Sequence, residues 1–82
     1  MNKDEPRVCR LPLEVSIDPA ADAAYFKFVD IRPGGAVRQV QVEGIPSPAE
    51  INLDFDARGH LLGMEVIGVS VVFPDEVIDG MT

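Results

Sequence analysis

Tryptophan is absent from these 82 residues, and cysteine, histidine and tyrosine occur once each. With Cys9 alone, no disulfide can close within the chain, which excludes a disulfide scaffold and fits a reducing compartment. His60 stands alone beside Gly59, and a general base needs a positioned substrate and an orienting partner, so the histidine count argues against acid–base catalysis. Long apolar runs are missing as well. The longest, Val66 to Phe73, is interrupted by Gly68 and Ser70 and falls far short of the roughly 20 residues of a membrane-spanning helix. Met1 to Arg10 is charged and polar, without the apolar stretch of a secretion signal. These absences together predict a soluble, cytoplasmic protein with no membrane partner.

Positive charge is scarce in one half only. Up to Val42, six acids (Asp4, Glu5, Glu14, Asp18, Asp22, Asp30) meet six bases (Lys3, Arg7, Arg10, Lys27, Arg32, Arg38). From Glu43 onward eight acids meet only Arg58, so the whole net charge of −7 lies in the second half. That distribution repels a phosphate backbone and excludes nucleic acid as a direct ligand, while it attracts a basic protein partner.

What the chain does have is alternation. Leu13, Val15 and Ile17 alternate with Glu14, Ser16 and Asp18, and Asp18-Pro19-Ala20-Ala21-Asp22 supplies turn chemistry: proline presets φ, and the Asp18 carboxylate can accept from N–H groups two residues on. A four-residue loop, Pro19 to Asp22, then sets Ile17 against Ala24, Val15 against Phe26 and Leu13 against Phe28. Ile51 to Val66 repeats the form. A four-residue loop Asp56-Ala57-Arg58-Gly59 sets Leu53 against Leu62 and Ile51 against Met64, whereas a three-residue loop sets Leu53 against Gly63; apolar parity favours the first.

Between these hairpins, Arg32-Pro33-Gly34-Gly35 reads as a turn, Val37 to Glu43 as a middle strand with Val40 and Val42 inward, and Gly44-Ile45-Pro46-Ser47-Pro48 as a loop. Beyond a bend at Gly68, Val69, Val71 and Phe73 continue the alternation, and Pro74-Asp75-Glu76 opens a short helical turn ending near Gly80. The predicted fold is mainly β: a single antiparallel meander sheet of five to six strands built on two hairpins, with one short C-terminal helical turn. Residues 1–12 form a flexible arm and 13–82 one domain. A chain this short buries only about 60 to 65% of its unfolded surface, so a second copy or a partner is expected over part of the apolar face.

The two hairpins together resemble the small prokaryotic family called domain of unknown function 2283. Its members share D-P-x-x-D-A-x-Y, here Asp18, Pro19, Asp22, Ala23 and Tyr25. They also share L-D-x-D-x-x-G-x-x-x-G-x-E, here Leu53, Asp54, Asp56, Gly59, Gly63 and Glu65. This chain departs from the pattern in its proline-containing link after Val42, in Phe55 where an aromatic hydroxyl is common, and in the extension before Leu13. The resemblance implies a compact β-rich unit without an established activity. For some relatives it also implies partnership with a small companion protein in toxin-antitoxin-like pairs.

One spacing imitates a calcium loop. Asp54, Asp56, Gly59 and Glu65 fall at the first, third, sixth and twelfth positions of an EF-hand loop, with Leu61 at the eighth. Arg58, however, puts a cation where a ligand oxygen is needed, and both flanks alternate with period two where helices are required. Ser16, Ser47 and Ser70 lack nucleophile-elbow context, and Gly34-Gly35 and Gly59 precede no helix that would cradle phosphate. No cofactor, metal or catalytic residue is therefore expected.

The leading expectation is a non-enzymatic, self-associating protein-binding module. Its partner-facing patch is Tyr25, Lys27, Asn52, Asp54 and Glu65, on the face opposite the large apolar side chains. The alternative is a small metal-dependent protein or enzyme using Asp54, Asp56, His60 and Glu65.

Overall fold

A computed structural model describes residues 4–81. Five strands, β1 (Glu14–Asp18), β2 (Ala23–Lys27), β3 (Arg38–Gln41), β4 (Glu50–Phe55) and β5 (Leu61–Ile67), precede two short helices, α1 (Val69–Val72) and α2 (Asp75–Gly80). All strand pairs are antiparallel, in the order β1-β2-β5-β4-β3. Strands β3, β4 and β5 run as a meander, and the β1–β2 hairpin docks on it through β2. Residues 4–13 form neither helix nor strand and are exposed; the first three residues of the expected arm lie outside the described residues.

The first hairpin has the register its sequence predicts, with Ile17 opposite Ala24 and Val15 opposite Phe26. Asp18 accepts from the N–H of Ala21, three residues on and not two (3.3 Å). The second hairpin corrects the sequence reading. Leu53 stands opposite Met64 and Ile51 opposite Val66, two residues away from the predicted partners. The loop is the three-residue one, Ala57 to Gly59, closed by Asp56 N–H to His60 C=O and Gly59 N–H to Asp56 C=O, both 3.0 Å. A bulge reconciles that loop with the apolar pattern. Phe55 pairs with Leu61 but Asp54 pairs with Gly63, so Leu62 has no residue opposite it and the large side chains regain a common face. The Leu62 carbonyl is used instead by the Phe28 N–H (3.0 Å).

One face of the sheet thus carries two apolar rows: Val15, Phe26, Met64, Leu53 and Val40, then Ile17, Ala24, Val66 and Ile51. Val37 to Glu43 is not a long middle strand but a four-residue edge, because the Gly- and Pro-containing segments on either side end its ladder.

The strand expected through Val69, Val71 and Phe73 is α1. Gly68 turns the chain with φ +85°, and the Asp22 carbonyl takes both the Gly68 and Val69 N–H groups (2.8 and 3.0 Å), which diverts the chain out of the sheet. Val69 and Phe73 share a side at period two and also at four residues along a helix; Val71 distinguishes the two, and it is 52% exposed. The helix turns Val69, Val72 and Phe73 onto the sheet, where Phe73 tilts against Phe26 at 5.7 Å. α2 forms where Pro74 predicts a helical turn, with Asp75 and Glu76 favourably placed at its positive end, and Ile78 and Met81 complete the cover. The helices shield the columns around Ala24 and Val66; the β1 side of the apolar face stays open.

Candidate functional site

On the opposite face the same registers assemble two polar rows. Gln41, Asn52, Glu65, Tyr25 and Ser16 lie side by side across the sheet, and the neighbouring row is Gln39, Asp54, Gly63, Lys27 and Glu14. All five residues predicted for a partner-facing patch are therefore brought onto one face. Four of them are half-buried, and Asn52 is buried.

Hydrogen bonds fix the arrangement. The Tyr25 hydroxyl donates to Asp54 Oδ2 (2.6 Å), Gln39 Nε2 donates to Asp54 Oδ1 (3.1 Å), and Asn52 Nδ2 donates to Glu65 Oε1 (3.0 Å). Lys27 Nζ pairs with Glu14 Oε2 (2.8 Å). Tyr25 and Asp54 belong to different rows, so the ring must cross the position of Gly63. It can do so only because Gly63 has no side chain: a Cβ there would lie 2.5 Å from the Tyr25 hydroxyl oxygen and 2.7 and 2.8 Å from two ring carbons.

The electrostatics follow from this packing. Burial raises the Tyr25 pKa, the hydrogen bond to Asp54 raises it further, and the charges of Asp54 and Glu65 add to both, bringing it to about 12. The phenol keeps its proton at neutral pH and serves as a donor to Asp54, not as a base. Lys27 is held above its ordinary value chiefly by its hydrogen bond to Glu14, so it stays a cation.

The residues of the metal-dependent alternative are divided between two places. Asp54 and Glu65 lie on the sheet face, while Asp56 and His60 lie at the tip of the β4–β5 hairpin. Asp56 Oδ1 accepts the Arg58 and His60 backbone N–H groups, both at 2.9 Å, and Oδ2 lies 3.5 Å from His60 Nδ1. The backbone bond from His60 is the main reason the Asp56 pKa is lowered, with the Arg58 bond acting in the same direction. Asp56 thus serves loop geometry, and among the described residues no group of three His, Cys, Asp or Glu side chains converges on a cation position. Nor is any helix among them long and apolar enough to cross a membrane.

Three contributors escape a sequence reading. Gln39 and Glu14 become visible only once strand order puts β3 beside β4 and β1 beside β2. Asp22 belongs to the shared turn motif, yet its role is distant: its carboxylate accepts from the Ser70 N–H (3.2 and 3.3 Å) and from the Ser70 hydroxyl (2.6 Å), capping α1 across 48 positions of sequence.

No curated protein and no solved structure matches the chain. Residues 14–70 match the profile of the family described as protein of unknown function (DUF2283), a span from the start of β1 through both hairpins into α1. The chain therefore belongs to the DUF2283 family.

Proposed function

We propose that this chain is a non-enzymatic protein-binding module, a small acidic β protein that self-associates and receives a basic segment of a partner, as the acidic half of a toxin-antitoxin-like pair in the cytoplasm. The observation that supports it is the fixed pair of carboxylates, Asp54 and Glu65, on one half-buried sheet face. Each is oriented by neutral donors, and both act on the same tyrosine. A carboxylate has about four acceptor sites, so each retains capacity for an incoming guanidinium or ammonium group. Lys27 is neutralised by Glu14 and does not repel such a guest. The surplus of acids from Glu43 onward steers it in. Catalysis is disfavoured because the most perturbed group of the face, Tyr25, is shifted away from neutral pH.

The test is titration of a labelled oligoarginine peptide at low and moderate salt. Binding should weaken about tenfold or more in Asp54→Asn/Glu65→Gln. Asp75→Asn/Glu76→Gln removes the same charge from α2 and should change affinity less than about threefold. Equal loss in the two variants would mean that the peptide senses net charge only, and the assignment of the face would fail.

A further inference from the structure

We propose that the self-association rests on β1: two copies pair their β1 strands antiparallel, with Val15 on the two-fold axis, and join their sheets into one of ten strands. This deepens the self-association just proposed and is independent of the basic-partner face.

The edge is open. All five β1 residues are exposed, and β2 occupies only one side of the strand. Which residues face outward follows from β2. The Phe28 N–H reaches β5, and in an antiparallel strand successive residues address opposite neighbours, so Lys27, Tyr25 and Ala23 address β1. Their partners Glu14, Ser16 and Asp18 turn inward, leaving the N–H and C=O of Val15 and Ile17 directed out of the sheet.

Uncovered apolar surface lies on this strand, where Val15 is 36% exposed, and on the segments flanking it. Leu11 is 75% exposed, Leu13 44%, and Ile17 and Phe28 40% each. Ile17 also walls an open, largely apolar cleft of about 330 Å³ with Pro19, Val69, Ile78 and Met81, so this surface continues beneath the helices. The opposite edge is more polar: β3 exposes Arg38, Gln39 and Gln41 with Val40 half-buried, and Val37 just before it is the one exposed large apolar residue beside the strand (60%).

Area favours a second copy as the occupant. The 8.9 kDa chain exposes 6383 Å², against about 4,800 Å² for a folded monomer of that mass. Its radius of gyration is 14.7 Å, against about 12 Å for a compact domain of this length. The exposed N-terminal arm contributes to both excesses, and the whole surplus is about twice the roughly 800 Å² per partner of a standard interface. Charge does not oppose the contact, because the first 42 residues are balanced and the acid surplus lies in the other half.

Register follows from charge. With Ser16 on the axis, Glu14 would oppose Asp18 of the second copy, two like charges across a ladder. With Val15 on the axis, Glu14 meets Ser16, and Leu13 meets Ile17.

Sedimentation and light scattering of the full chain should give twice the monomer mass at tens of micromolar or above. Val15→Pro removes an outward donor while sparing the bonds to β2, and should give a monomer with unchanged far-ultraviolet dichroism. Gln41→Pro at the other edge should remain dimeric. In a Cys9→Ser background, a mixture of Glu14→Cys and Ser16→Cys chains should form a mixed disulfide on oxidation, and Ser16→Cys alone should not. This crosslink decides the matter should Val15→Pro fail to fold. A monomer at every concentration overturns both self-association and its placement. A dimer that survives Val15→Pro and yields no mixed disulfide overturns the β1 interface alone, and Ser16→Cys homodimers overturn the register.

Discussion

Replacing Gly63 with alanine sets a stabilising backbone effect against a specific steric one, and the structure says which wins. Alanine in a strand is favoured over glycine by about 0.5–1 kcal/mol through the smaller entropy loss on folding. The new Cβ would meet the Tyr25 hydroxyl oxygen at 2.5 Å and two ring carbons at 2.7 and 2.8 Å, closer than any of them can remain. Tyr25 must swing away, and the 2.6 Å bond to Asp54 is lost. A hydrogen bond to a carboxylate contributes about 1.5–3 kcal/mol, so Gly63→Ala should destabilise by about 1–2 kcal/mol net. Urea unfolding measures this directly.

The cause can be separated from the size. Tyr25→Phe removes the same hydroxyl, so the double variant Gly63→Ala/Tyr25→Phe should cost less than the two single costs added, by about 1 kcal/mol or more. Because the chain has one tyrosine and no tryptophan, tyrosinate absorbance reports Tyr25 alone. Its pKa should fall from about 12 toward the ordinary value near 10 in Gly63→Ala. Additive costs with an unmoved tyrosine titration would refute the crossing of the ring over Gly63.

Four further outcomes follow from the same structure. Asp22→Ala should cost about 1–2 kcal/mol and raise hydrogen exchange across residues 69–81, because the cap on α1 is lost and a φ of 51° is imposed on alanine; Asp22→Asn should cost less. Gly68→Ala should be worse than Gly59→Ala in thermal melts. Both positions have positive φ (85° and 83°), but only at Gly68 would a Cβ meet another atom, Ala49 Cβ at 3.0 Å. Since the folded-state pKa of Asp56 is lowered, its stabilising effect is present above the unfolded value near pH 4 and is lost as pH falls through the folded value. Asp56→Asn should flatten that acid limb. Since the Tyr25 pKa is raised, its contribution is full below about pH 10 and fades toward about pH 12, and Tyr25→Phe should remove that alkaline slope.

Parity was the part of this fold most legible in the sequence. A strand's side chains alternate strictly, so the apolar and polar sets of both hairpins could be separated before any strand was paired, and Tyr25, Lys27, Asn52, Asp54 and Glu65 do share a face. Register was less legible. At the second hairpin apolar parity selects a four-residue loop, whereas the chain forms the three-residue one and restores parity by bulging at Leu62, which alternation alone does not encode. The segment from Val69 to Phe73 misled because its valines satisfy both periods, and what decides between them is Asp22, far away in sequence. Strand order was illegible for a related reason: the link between β2 and β3 carries the chain past β5 and β4 to the far edge, and nothing local in residues 28–37 fixes that crossing. Gln39 and the space at Gly63 were hidden with it.

The polar face as a recognition surface is tested most directly by amide chemical-shift mapping of the isotope-labelled chain as the oligoarginine peptide is added. Tyr25, Gln39, Asn52, Asp54 and Glu65 should move together on one binding curve, with the Tyr25 hydroxyl still bonded to Asp54. Shifts confined to α2 and the β4–β5 tip, or spread evenly over the acidic residues, would contradict it.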